Sequence, residues 1–121
     1  MTPGAGSSRR DLGRRGEALA ARWYADHGYE VLDRNWRCRD GEIDLVVRRN
    51  GTLVFCEVKT RTSRSFGSGA EAVSAAKQRR VRRLAVRWLA EGRAGRTGAL
   101  ELRFDVASVT AGVLEVISDA F

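Results

Sequence analysis

Residues 41–61 read GEIDLVVRRNGTLVFCEVKTR. Two apolar runs that alternate with period two flank Asn50-Gly51. Asn-Gly between such runs is the strongest short-range hairpin signal, so EIDLVVRR and TLVFCEVK predict a pair of antiparallel strands. A two-residue turn sets Arg49 opposite Thr52 and fixes every later pair. Val47 then faces Val54, Asp44 faces Glu57, and Glu42 faces Lys59. Strand side chains alternate between faces. One face of the ribbon becomes Ile43, Leu45, Val47, Val54, Cys56 and Val58, all apolar. The other carries Glu42, Asp44, Val46, Phe55, Glu57 and Lys59.

The second face is chemically unusual. Opposed side chains lie roughly 4.5–5.5 Å apart at Cβ, and like charges so placed are destabilising. Asp44 and Glu57 therefore either share a proton or share a cation. Hard divalent ions such as Mg²⁺ take carboxylate oxygens of this kind and keep several waters. The plainer reading is a solvated hairpin face with a Glu42–Lys59 salt bridge. The opposed acids, with Val46 and Phe55 beside them, favour a metal site. The chain has 22 Lys and Arg residues, and only Lys59 and Lys77 are lysine. One of the two ammonium groups therefore falls next to the acid pair.

Outward from the hairpin, the pattern predicts the order α-β-β-β-α-β-β. Ser8 and Asp11 suggest a helix start, the spacing of Leu12, Leu19 and Trp23 an amphipathic helix over about 10–27, and Gly28 its stop. A strand runs from Tyr29 toward Arg37, a polar loop over 60–69, and a second helix over 70–91, closed by Gly92. Residues 93–98 predict a turn, and LELRFDVASV and VLEVI two final strands. On a wheel of about 100° per residue, Lys77 shares a stripe with Val81, Leu84 and Trp88. Arg79, Arg80, Arg82, Arg83 and Arg87 fall on the far side, suited to phosphate contacts. A lysine on a buried stripe snorkels to an edge about as often as it acts in a site. Here Lys77 has the acid cluster within reach. Glu17 on the first helix reads, from periodicity alone, as an ordinary glutamate near a helix N-terminus. Trp23, Trp88 and Phe104 read as core and His27 as structural.

At 121 residues the chain predicts a single domain over 10–121 behind a small, polar tail at 1–9 that is expected to be disordered. No apolar run is long enough for a membrane span, and the N-terminus has no signal-peptide core. Cys38 and Cys56 are too few for a disulfide framework or a zinc site, so reduced thiols and a cytoplasmic protein are expected. The net charge of +7 favours a polyanionic partner, with nucleic acid the usual one. No Ser–His–Asp set, Cys–His set or phosphate-binding P-loop is legible.

GEIDLV followed by FCEVKTR is similar to the PD-(D/E)XK nuclease signature, an acid ending one strand and Glu-x-Lys on the next. The wider set matches something narrower. LGRRGEALAARWYADHGYEVLDRNWRCRDGEIDLVV, EVKTR, FGSGAEAVSAAKQRRV and RFDVASV resemble the YraN family, small bacterial proteins with an endonuclease-like fold. The likeness covers about residues 12–109, and the family resembles archaeal Holliday-junction resolvases in motif order. Isoleucine stands where the signature has proline, as in the family pattern.

The resemblance implies a restriction-endonuclease-like α/β core with a mixed sheet flanked by helices. It implies that Asp44, Glu57 and the Val58 carbonyl bind Mg²⁺ or Mn²⁺, and that Lys59 orients or activates the attacking water. Glu17 matches the helix-one acid, while Glu42, Lys77 and Gln78 stand as supporting residues. Arg61 joins the arginine face as a nucleic-acid contact. The function implied is a metal-dependent endonuclease on DNA, branched DNA included. A homodimer follows by analogy, since junction cutting wants two opposed sites. A non-catalytic nucleic-acid-binding protein on the same fold is the alternative. An interaction module with an acidic protein partner is the third reading.

Overall fold

The computed structural model describes residues 5–61, 73–93, 95 and 101–121. The elements are α1 (Ala5–Asp26), β1 (Glu30–Cys38), β2 (Gly41–Arg49), β3 (Thr52–Arg61), α2 (Ala75–Ala90), β4 (Glu101–Thr110) and β5 (Val113–Ile117). Their order is the one the sequence predicts. The five strands form one mixed sheet in chain order, β1-β2-β3-β4-β5. Only β3 and β4 run parallel, and α2 lies between them in the chain. This is the endonuclease-like α/β architecture that the motifs imply.

The hairpin reading holds where the turn dictates it. Asn50 takes the left-handed conformation at φ 54°, and the β2–β3 ladder runs from Arg49–Thr52 to Leu45–Cys56. At the far end of β4, Ala111 and Gly112 are both left-handed and join Thr110 to Val113 in a second tight hairpin. α1 ends as Gly28 predicts. Tyr29 donates its N–H to the Tyr24 carbonyl and Gly28 to that of Ala25, closing a Schellman motif.

Both helix starts differ from the sequence reading. α1 begins at Ala5, so Ser8 lies inside the helix and is not its cap. The helix takes in residues 5–9 of the expected disordered tail, whose alanine, serine and arginine are all tolerated in a helix. α2 begins at Ala75, with Ser74 as N-cap accepting the Lys77 N–H at 3.2 Å. Residues 62–72, which hold the rest of the expected loop and the first turn assigned to that helix, lie outside the described residues. So does most of the 93–98 turn.

Each face of the sheet has its own core. On one, α2 lays Val81, Leu84, Ala85 and Trp88 against Val46, Leu53, Phe55 and Phe104. Trp88 meets Phe55 edge-on at 5.6 Å, and its indole N–H donates to Asp33. On the other, α1 packs on Leu45, Val47, Val54, Cys56 and Ala107. The stripe it buries is Gly16, Ala20, Ala21 and Tyr24; Leu12 is half-buried and Leu19 exposed. The expected Leu12–Leu19–Trp23 stripe is thus displaced to its margin. The cause is closeness. A Cβ at Gly16 would strike Thr60 Oγ1 on β3, so small residues set the contact and large ones flank it. No described helix is long and apolar enough to cross a membrane.

Beneath α1 lies a buried polar network. Asp105, fully buried on β4, accepts from Tyr24 Oη at 2.6 Å, from Arg103 Nε and Nη2 at 2.9 Å each, and from the Asp119 N–H. Burial first, then neighbouring negative charge, pushes the Tyr24 phenol far up, so it stays a donor. Every buried side-chain nitrogen and oxygen among the described residues has a partner.

Candidate active site

The site forms where the sheet divides. β2 and β3 make no ladder pair beyond Leu45–Cys56. Past that point β2 stays with β1 through Trp36–Ile43, Arg37–Glu42 and Cys38–Gly41. β3 instead stays with β4 through Glu57–Val106, Val58–Ala107 and Lys59–Ser108. The two strands open into a fork, and Asp44 and Glu57 stand at its crotch. One Asp44 oxygen spans the gap and accepts the Val58 N–H at 2.8 Å. That bond takes the place of the ladder bond the fork removes.

The same geometry corrects two expectations. Glu42 does not meet Lys59, because the strands have already parted; it pairs with Arg37 at 3.1 Å on exposed surface. Ile43 does not join Leu45 and Val47. It packs in the α2 core with Trp36 and Val46. Asn35, which lies across from Asp44 between the pairs Arg34–Leu45 and Trp36–Ile43, is left-handed at φ 53°. This kink breaks the strict alternation of both strands.

Asp44 and Glu57 are buried, at 9% and 7% exposure. Burial first, and the Glu57 charge second, push the Asp44 carboxyl up to about 7, with smaller contributions from Glu17 and Glu42. The Val58 hydrogen bond works the other way and is outweighed. Two carboxylates thus share a region with too little positive charge.

Two ammonium groups partly answer that deficit. Lys77, on the first turn of α2, places Nζ 2.6 Å from Glu57 Oε1. Burial lowers its pKa, but the hydrogen bonds to Glu57 and Lys59 outweigh this and the net direction is up. Lys59 goes down, through burial first and then the neighbouring Lys77, against the pull of Glu57 and Asp44. Two lysines that touch cannot both hold a full charge cheaply, and Lys59 is the one that yields. An ammonium so depressed exchanges its proton more readily, which no arginine would do.

Glu17, half-buried on α1, contributes its charge to the same region. Gln78 does local work: its Nε2 donates to the Val73 carbonyl and helps fix the start of α2. Of the arginines named from sequence, Arg82 lies over the Phe104 and Phe121 rings, and Arg87 pairs with Asp40 and Glu91. Arg79, Arg80 and Arg83 are exposed, and Arg61 is half-buried on the last residue of β3. Sequence reasoning missed Asn35. An asparagine inside a strand was the available signal, since asparagine enters the left-handed region more readily than most residues.

Among the described residues, no three His, Cys, Asp or Glu side chains converge on one point suited to a metal ion. The donors at the fork are two carboxylates, and the resemblance adds the Val58 carbonyl, whose N–H meets Asp44. That is a set Mg²⁺ or Mn²⁺ can use, because such ions need only one or two carboxylates and fill the rest with water. The Asp44 carboxyl is raised by burial first and by the Glu57 charge second.

The model of the uncharacterised protein family UPF0102 matches residues 16–109. The chain belongs to UPF0102, the YraN family. A UPF0102 protein of Parafrankia is 59% identical over 98 residues, covering 81% of this chain and 80% of its own. One from Frankia casuarinae is 64% identical over 80 residues, covering 66% and 68%. One from Rhodococcus jostii is 48% identical over 115 residues, covering 91% and 95%. The matched UPF0102 region contains Glu17, Asp44, Glu57, Lys59 and Lys77, so the whole fork lies in the family's common part.

Proposed function

We propose that this UPF0102 protein hydrolyses phosphodiester bonds of DNA with the help of Mg²⁺ or Mn²⁺. The observation that carries the reading is the fork, where two buried acids repel each other and a depressed lysine stands alongside. Among the described residues Lys77 pairs with Glu57 alone, and a structural salt-bridge cluster has no use for the repulsion left at Asp44. A site that takes up a cation together with an anionic substrate does.

Asp44, Glu57 and the Val58 carbonyl would hold the cation, which when bound supplies Lewis-acid stabilisation of charge on the phosphate. Lys59 orients the attacking water, and burial with the neighbouring Lys77 lowers its pKa in the direction that eases proton exchange. Water oxygen bonds to phosphorus, one P–O bond breaks, and the departing oxygen takes up a proton. Lys77 holds Glu57 in place through the 2.6 Å contact. Glu17 supports the acid cluster from α1. The exposed arginines Arg79, Arg80 and Arg83 position the strand through its phosphates without reading sequence. A homodimer would present two such sites to the two strands of a branched substrate.

The test is cleavage of labelled linear, flapped and four-way DNAs with Mg²⁺ or Mn²⁺. Wild type should cut, and Asp44→Ala, Glu57→Ala and Lys59→Ala should each lose at least about a hundredfold in rate. Equal products from wild type and Lys59→Ala would end the hydrolytic reading. One observation favours the non-catalytic alternative: Lys77 already occupies a Glu57 oxygen. On that reading DNA binding is salt-dependent, survives Asp44→Ala, and no strand is cut.

A further inference from the structure

Gly13 and Gly16 lie in the middle of α1, where alanine would make a stronger helix. Gly16 is explained by Thr60. Gly13 is not explained by packing, because a Cβ there would meet nothing within 4 Å. The space it leaves open is part of a cavity of about 440 Å³ lined by Gly13, Arg14, Glu17, Asn35 and Arg37. This cavity adjoins the fork from the side of β1. Asn35 on β1 stands opposite Asp44 on β2, and Glu17 is the lining residue whose charge reaches the Asp44 carboxyl.

We infer that this cavity is a subsite for a sugar-phosphate unit of the nucleic-acid strand, next to the phosphate that is cut. The inference rests on the nuclease reading of the fork and adds the path the strand takes to it. Bare helix backbone at Gly13 lets a ligand approach α1 closely. Arg14 and Arg37 are both exposed at the cavity and set its preference for an anion. Guanidinium groups suit phosphate because they donate two parallel hydrogen bonds. Arg37 pairs with Glu42 in the free protein, but at 76% and 52% side-chain exposure that pair is weak and exchangeable for phosphate. Glu17 is the one acid of the lining, so the anion sits toward the two arginines.

The experiment measures binding of a labelled oligonucleotide by fluorescence anisotropy at several salt concentrations, with Ca²⁺ replacing Mg²⁺. Gly13→Leu fills the cavity and should melt at or above the wild-type temperature, yet bind about tenfold more weakly. The double variant Arg14→Gln with Arg37→Gln should bind more weakly too. Its slope of log affinity against log salt should be shallower by about 0.7–0.9 for each phosphate no longer neutralised. Wild-type affinity and slope in either variant would overturn the subsite. So would a weakening seen for inorganic phosphate but not for the oligonucleotide, which would mark a free-phosphate site. If wild type cuts DNA while both variants bind normally, the subsite fails and the nuclease reading stands. If both variants weaken binding and wild type cuts nothing, the subsite stands and hydrolysis fails. No binding by wild type would remove both.

Discussion

Replacing Asp44 by asparagine should stabilise the metal-free protein at neutral pH. Asparagine has nearly the same shape, and its carbonyl oxygen can still accept the Val58 N–H. What it lacks is a charge that burial and Glu57 both oppose. The Asp44 carboxyl rises from 3.8 to about 7 on folding. That displacement corresponds to roughly 4 kcal/mol, which is the ceiling, since relaxation and water entry return part of it. The folded-state value lies above the unfolded one. Folding is therefore favoured by this group at pH below about 4, and the contribution is lost as pH rises through about 7. Urea unfolding in EDTA across a range of about pH 4.5–8.5 should show wild type and Asp44→Asn close together at the acid end. They should diverge in favour of the variant toward the alkaline end. Even a quarter of the ceiling, about 1 kcal/mol, moves Tm by about 4 °C in a domain of this size. Saturating Mg²⁺ should then raise wild type and leave the variant nearly unmoved. A gap that does not vary with pH, or a variant less stable than wild type at the alkaline end, would refute the claim that the two acids repel across the fork.

The other expectations concern the supports of the site. Lys77→Met removes the cation from Glu57 and should cost about 1–3 kcal/mol without metal, less than a fully buried pair because Lys77 is a third exposed. The gain in Tm on adding Mn²⁺ should be larger in that variant than in wild type; an equal or smaller gain would show that Lys77 does not compete with the ion. Asp105→Asn breaks a fully buried ionic network and should cost about 3–5 kcal/mol, read as a lower urea midpoint at unchanged slope. Gly16→Ala should destabilise through Thr60, and Thr60→Ala should recover most of that stability when combined with it. Additive effects in that double variant would place the close approach elsewhere.

Much of this was legible in the sequence for identifiable reasons. The Asn50-Gly51 turn set the register of the hairpin, and with it the proximity of Asp44 and Glu57. The helical stripe through Lys77, Val81, Leu84 and Trp88 told which face of α2 meets the sheet, and so carried Lys77 to Glu57. The failures share a cause. Periodicity assumes regular elements, and regularity fails beside the site, where Asn35 is left-handed and Ile43 stands in the opposite core. The hairpin rule also says where pairing begins, not where it ends, so the parting of β2 from β3 and the Glu42–Arg37 pair were hidden. On α1, a search for large apolar residues found Leu12 and Leu19, while the packing was built from Gly16, Ala20 and Ala21.

The strand order has a kinetic consequence. β1, β2 and β3 are consecutive in the chain and adjacent in the sheet, so they can pair through short loop closures before any distant segment arrives. Asp44 and Glu57 would then meet early, while water still screens them. The late event is the docking of α2, which covers the β2–β3 surface and delivers Lys77 in the same movement. The step that makes the acid pair costly is also the step that brings its counter-charge, so folding need not pass through a state in which both carboxylates are buried with no cation at hand.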